Sequence, residues 1–243
     1  MFRNIARLIL ILGATTAAAT PPDTIYIEDR VFGVNETHIF FLRTTNDNLG
    51  LHIFGMKDTY LVAKNIDTRQ DDQIWAVLRQ HGAPDYHPDS GVPTPVIQTF
   101  NLTGAINPFK ILAERGALHI EDPLIQEVGE GLVPLSDGGL SIEEFSLSLD
   151  DMADQMENAV AKTLSAIQPY PDGEYTSMTF STPHDLLENW RVDPSQCSIL
   201  GDIELSPIYG MRIVRLAKIE CWDAENVQPA SLYVILNPVI QVE

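Results

Sequence analysis

The stretch HGAPDYHPD, from His81 to Asp89, places two histidines and two aspartates within nine residues of a 243-residue chain that has six histidines in all. Imidazole nitrogen and carboxylate oxygen together suit zinc or a similar divalent ion, and a coordination position left open would hold an activated water. If Asp85 to Asp89 is extended, Asp85, His87 and Asp89 point to one side, because alternate residues of a strand share a face. His81 joins them if Gly82, Ala83 and Pro84 turn the chain back. The competing reading is a plain surface loop, since Pro84, Pro88 and Gly82 are turn residues in their own right and Asp is common beside them. His81, Asp85, His87 and Asp89 are thus the candidate ligands of a divalent metal cofactor. The catalytic reading they support is a metal-dependent hydrolase with one carboxylate as general base.

No other segment carries a catalytic signature. The chain lacks a G-x-S-x-G elbow, a Walker loop, a G-x-G-x-x-G turn and an H-E-x-x-H pair. With 34 acidic residues, pairing of carboxylates selects nothing. His38 and His52 lie in apolar, strand-like runs and read as structural groups. His184, beside Asp185, reads as local hydrogen bonding at a helix start. The expectation that follows is a non-catalytic binding or interaction protein whose partner is a protein or a small-molecule ligand.

The first residues, MFRNIARLILILGATTAAAT, order a basic, an apolar and a small-residue segment. That order is the layout of a signal peptide over residues 1–19, with export to the periplasm or beyond. The apolar run is shorter than the roughly 20 residues a membrane span needs, so no stable anchor is expected after cleavage. Beyond Ala19, 13 Lys plus Arg stand against 34 Asp plus Glu, a net charge of −21. Such a polyanion is repelled by phosphate backbones and anionic lipid, which argues against nucleic acid and membrane surfaces as partners. Cys197 and Cys221 are the only cysteines. An exported chain with one pair most simply forms one disulfide, and two strands folded about Ser206 to Gly210 would bring the two opposite one another.

The elements that must position these residues form an α+β pattern. It has a mostly antiparallel sheet, one main amphipathic helix over about 149–167 and a C-terminal β-hairpin region, all in one domain spanning 20–243. His38 to Leu42 is apolar on both faces, as suits a strand covered on both sides. Tyr60 to Ala63 and Ile74 to Leu78 read as a hairpin around the polar stretch Asp67 to Asp72. Residues 82–139 form a Pro/Gly-rich excursion with a strand near Val96 to Leu102 and a short helix over Pro108 to Glu114. Met152, Met156, Ala159, Val160, Thr163, Leu164 and Ile167 recur at helical steps, so the two methionines read as core rather than copper ligands. Ser148 with Asp151 supplies the helix cap. Thr182, with Pro183 after it, caps a second short helix. Strands follow over Tyr175 to Phe180, Ile199 to Leu205, Met211 to Cys221 and Ser231 to Leu236.

The segment from Val31 to Trp75 resembles one blade of a TolB-type β-propeller: a turn before a buried strand, a polar excursion, then a strand ending in a short Asp-Thr turn. That resemblance implies the pattern again every 40 to 50 residues. No second copy is present, and the family is not assigned.

Overall fold

The alternating and doubly apolar runs fold as strands, and the 3.6-residue stripe folds as a helix laid over them. The computed structural model describes residues 22–49, 55–86, 93–121, 126–127, 133–134, 140–142, 145–170, 182–205, 213–223 and 228–238. The chain begins with an antiparallel meander of β1 (Ile25–Val34), β2 (His38–Asp47), β3 (Gly55–Asn65), β4 (Asp71–Tyr86) and β5 (Pro93–Phe100). Next come α1 (Pro108–Glu114) and the short strands β6 (Leu118–His119), β7 (Gln126–Glu127), β8 (Val133–Pro134), β9 (Leu140–Ile142) and β10 (Phe145–Leu147). The chain then runs through α2 (Leu149–Ala166), α3 (Pro183–Leu187), β11 (Val192–Leu205), β12 (Val214–Asp223), β13 (Pro229–Ile235) and β14 (Asn237–Pro238).

Ten strands make one mixed sheet, ordered β5-β4-β3-β2-β1-β13-β12-β11-β7, with β6 also paired to β1. A second, four-stranded sheet is ordered β14-β10-β9-β8. Within the large sheet the meander and the β11–β13 group are each antiparallel. They meet at a parallel seam between β1 and β13, with Ile27 opposite Ala230. β13 takes only the early part of the β1 edge. β6 takes the later part, opposite Gly33 and Val34. A bulge at Phe32 separates the two stretches. Gly33 is needed there, because a Cβ would lie 2.8 Å from the Leu118 carbonyl oxygen and 2.9 Å from Leu112.

The two faces of the sheet are treated differently. α2 covers one of them. Ser148 caps it by accepting from Asp151 N, and Met152, Met156, Ala159, Val160 and Thr163 are buried beneath it. Its polar groups bind the sheet as well: Gln155 donates to Ile235 O and accepts from Ile235 N, and Asn158 Oδ1 accepts from Asp71 N. The opposite face is covered at one end. There α1 and the segment after it enclose Phe32, Phe40, Leu61, Ala63 and Leu112, with Trp75 packed alongside. Among the described residues, no element covers the part of that face over Leu42, Thr44, Lys57, Thr59, Leu78 and Gln80.

Two expectations are corrected. The blade-like segment is part of β1–β4 within a large mixed sheet crossed by α2, an architecture unlike a propeller. Gly82, Ala83 and Pro84 do not turn the chain back; they continue β4 as far as Tyr86, paired with β5. Prolines are tolerated there because β5 is an edge strand and Pro84 lies directly opposite Pro95, beyond the last residue of β3 that pairs with β4. Cys197 and Cys221 face one another in the β11–β12 ladder and form the disulfide. The expected leader, His52, the strand Tyr175 to Phe180 and the turn Ser206 to Gly210 lie outside the described residues.

Candidate functional site

Of the four candidate metal ligands, His81 and Asp85 lie on β4, while His87 and Asp89 lie outside the described residues. His81 sits between Met56 of β3 and Gln98 of β5, only 6% exposed, and burial lowers its pKa below the ordinary imidazole value. His81 and Asp85 are four residues apart on one strand, so their Cα atoms are separated by about 13 Å. Among the described residues, no three His, Cys, Asp or Glu side chains are grouped to hold a metal ion.

The residues that alternate with His81 lead to a different site. Gln80 and Gly82 point to the open face of the sheet, where two lobes of one groove meet. The first lobe, of about 500 Å³, is floored by Leu42, Leu78 and Tyr233 and edged by Glu28, Arg30, Lys57, Thr59 and Lys218. The second, of about 350 Å³, runs over Gly55 and Gly82 to Ile97. Lys57 and Gln80 belong to both. Register explains the grouping. Glu28, Thr44, Thr59 and Leu78 form one cross-strand row, Asn46, Lys57 and Gln80 another, and Gly55, Gly82 and Ile97 a third.

Three cations therefore meet on one face of a strongly acidic chain. The carboxylates that line the groove are already engaged. Lys218 Nζ lies 2.8 Å from Glu28 Oε1, Arg43 binds both oxygens of Asp29 at 2.6 and 2.8 Å, and Asp47 accepts from Leu49 N and from Tyr170 Oη. Among the described residues, no carboxylate lies at ion-pair distance from Arg30 or Lys57. Burial first, then Asp29 and Glu28, push the Tyr233 hydroxyl up to about 12, so at neutral pH it stays protonated beside the groove.

Behind the groove lie buried ion pairs. Arg43, fully buried, spans from Asp29 to Asp71 Oδ2 at 2.5 Å and reaches α2 at Ala159 O and Thr163 Oγ1. Lys64 Nζ lies 3.5 Å from Asp71. Burial alone would raise Asp71, but Arg43 and Lys64 overcome it and hold that carboxyl below the usual range. A second clamp joins Arg79 to both oxygens of Asp58 at 2.6 and 2.7 Å and to the carbonyls of Gln168 and Pro169. The same guanidinium lies 4.8 Å from the centre of the Tyr170 ring. These groups are sealed by the helix and the chain that follows it. They are scaffold rather than site.

His38 and His184 fit their structural readings: His38 Nε2 lies 3.0 Å from Asp72, and His184 sits in α3, whose Thr182 and Asp185 form a capping box. The groove residues were missed because each is an ordinary surface-type residue in its own strand. The period-2 alternation that exposes Lys57 and Arg30 is visible, but the β1–β13 seam that brings Lys218 and Tyr233 beside them is not. Comparison with protein-family models, with curated proteins and with solved structures finds no match.

Proposed function

We propose that this chain is an exported, non-catalytic binding protein of the cell envelope whose ligand surface is the open face of the large sheet, and that its ligand is an anion. The observation that carries the reading is the asymmetry of the two faces. One is sealed by α2 over fully paired buried charges. The other carries a two-lobed groove in which every lining carboxylate is engaged while the exposed Arg30 and the half-buried Lys57 have no carboxylate at ion-pair distance among the described residues. A concave site with an apolar floor and a few convergent polar groups is the usual form of a small-molecule site. Export is supported by the basic-apolar-small order of the first residues and by the Cys197–Cys221 disulfide, since such bonds persist in oxidising compartments. Among the described residues, no helix is long and apolar enough to cross a membrane.

The test is calorimetric titration of residues 20–243, produced in an oxidising compartment, with a panel of organic carboxylates and matched amines. Saturable binding of carboxylates alone, lost in Arg30→Glu/Lys57→Glu, is the expected result. Elemental mass spectrometry of the same preparation, beside His81→Ala/His87→Ala, decides the hydrolase alternative. Near-stoichiometric metal lost in that variant would replace the present proposal.

A further inference from the structure

The order of residues along the groove says what the anion looks like. Asn46, Lys57 and Gln80 lie side by side on β2, β3 and β4. Two residues further, about 7 Å along the strands, Gly55, Gly82 and Ile97 lie side by side on β3, β4 and β5. The first row offers an ammonium flanked by two amide side chains, which suits one carboxylate. The second has no polar side chain. Among the described residues, a Cβ placed on Gly82 meets nothing within 4 Å and one on Gly55 touches only the Asp47 carbonyl oxygen, at 3.4 Å, so there is space above both glycines. Glycine inside a strand weakens it and marks a place where something approaches the backbone closely. Two glycines directly opposite one another, in strands that otherwise carry side chains on this face, form such a place. Ile97 closes its far side and is 65% exposed.

We propose that the groove binds a monomeric amphipathic carboxylate, with its head on Lys57 between Asn46 and Gln80 and its apolar stem over Gly55 and Gly82 against Ile97. This rests on the reading of the open face as an anion site. The chain's overall negative charge does not oppose it. At physiological salt, charges more than about 8 Å away are screened, so a single carboxylate in the groove meets chiefly the local cations. An anionic membrane, spread over the whole acidic surface, is repelled. The ligand class is therefore a free single-chain carboxylate rather than a lipid headgroup in a bilayer.

The probes are butanoate and decanoate, the latter below its micellar concentration, titrated into residues 20–243 alongside vesicles of phosphatidylglycerol and phosphatidylcholine. Each methylene removed from water favours binding, so decanoate is expected to bind at least tenfold more tightly than butanoate. Lys57→Gln is expected to weaken both acids at least tenfold. Gly82→Leu fills the apolar row and is expected to weaken decanoate at least tenfold while leaving butanoate within twofold. Ile97→Ser, at an exposed position, gives the same pattern more weakly and serves if Gly82→Leu does not fold. Failure of every carboxylate to bind overturns the anion-site reading itself. Equal affinities for the two acids, or decanoate affinity unchanged in Gly82→Leu and Ile97→Ser, overturn the amphipathic ligand and leave the anion site standing. Co-sedimentation with the anionic vesicles without binding of decanoate assigns the groove to a lipid headgroup and overturns the proposal as stated.

Discussion

At the scale of single residues, the charges inside the protein are more informative than those outside. Arg43 is fully buried and serves two aspartates on two strands and a carbonyl of α2 at once. Removing it strands the buried Asp29 and leaves Asp71 with Lys64 alone, so Arg43→Met is expected to cost about 3–5 kcal/mol in urea unfolding. Arg43→Lys should cost nearly as much, because a single ammonium lacks the planar fork that bridges Asp29 and Asp71. His81 gives a pH signature instead. Burial holds its folded pKa below about 6.5, so the unfolded chain takes up the proton more readily. The stability tied to neutral His81 is complete above that pH and is lost as pH falls toward the lowered value. His81→Gln lacks this dependence. The wild type's stability relative to the variant should therefore shrink between pH 7.5 and pH 5, measured by urea unfolding at each pH, and a constant difference would show that the site accepts an imidazolium.

At the scale of elements, α2 was legible because its apolar stripe, its early acids and its cap agree, and the Ser148 cap and the buried Met152 and Met156 are where the periodicity puts them. The cap can be weighed directly. Ser148→Ala removes the acceptor for Asp151 N and is expected to cost about 1 kcal/mol in urea unfolding. A value near zero would mean that the tertiary ties of that turn, Asp151 to Arg69 and Asn237, fix it without the cap. The end of β4 was not legible. Pro84, Pro93 and Pro95 read as breakers because proline cannot donate to a ladder. On a sheet edge that missing donor costs little, so HGAPDY runs as strand where a turn is the natural reading. This difference decides the geometry of the candidate site, for it puts His81 inside the sheet and Gly82 on the groove.

At the scale of the whole molecule, the architecture is two antiparallel groups of strands joined by one parallel seam, and a non-local seam leaves no local trace in composition or period. The class of fold was readable for the opposite reason: strands at both ends around one strong helix allow few arrangements. The disulfide was readable as well, since two cysteines around a hairpin have one way to pair. Its contribution follows from the same topology. Cys221 is fully buried, with its sulfur 3.4 Å from Met156 Sδ of α2, so the bond lies where the C-terminal hairpin meets the helix. The sequence separation is 24, for which the chain-entropy account gives about 3.5 kcal/mol. Cys197→Ala/Cys221→Ala is expected to lose about that much in urea unfolding. Carboxylate affinity in the folded variant should stay within twofold. The β12–β13 ladder runs unbroken from Leu216 to Trp222 and pairs Lys218 with Tyr233 three residues from Cys221. A variant that keeps its stability would show that the unfolded chain already holds the hairpin closed. One that folds but loses the ligand would show that the seam needs the disulfide to keep Lys218 on Glu28.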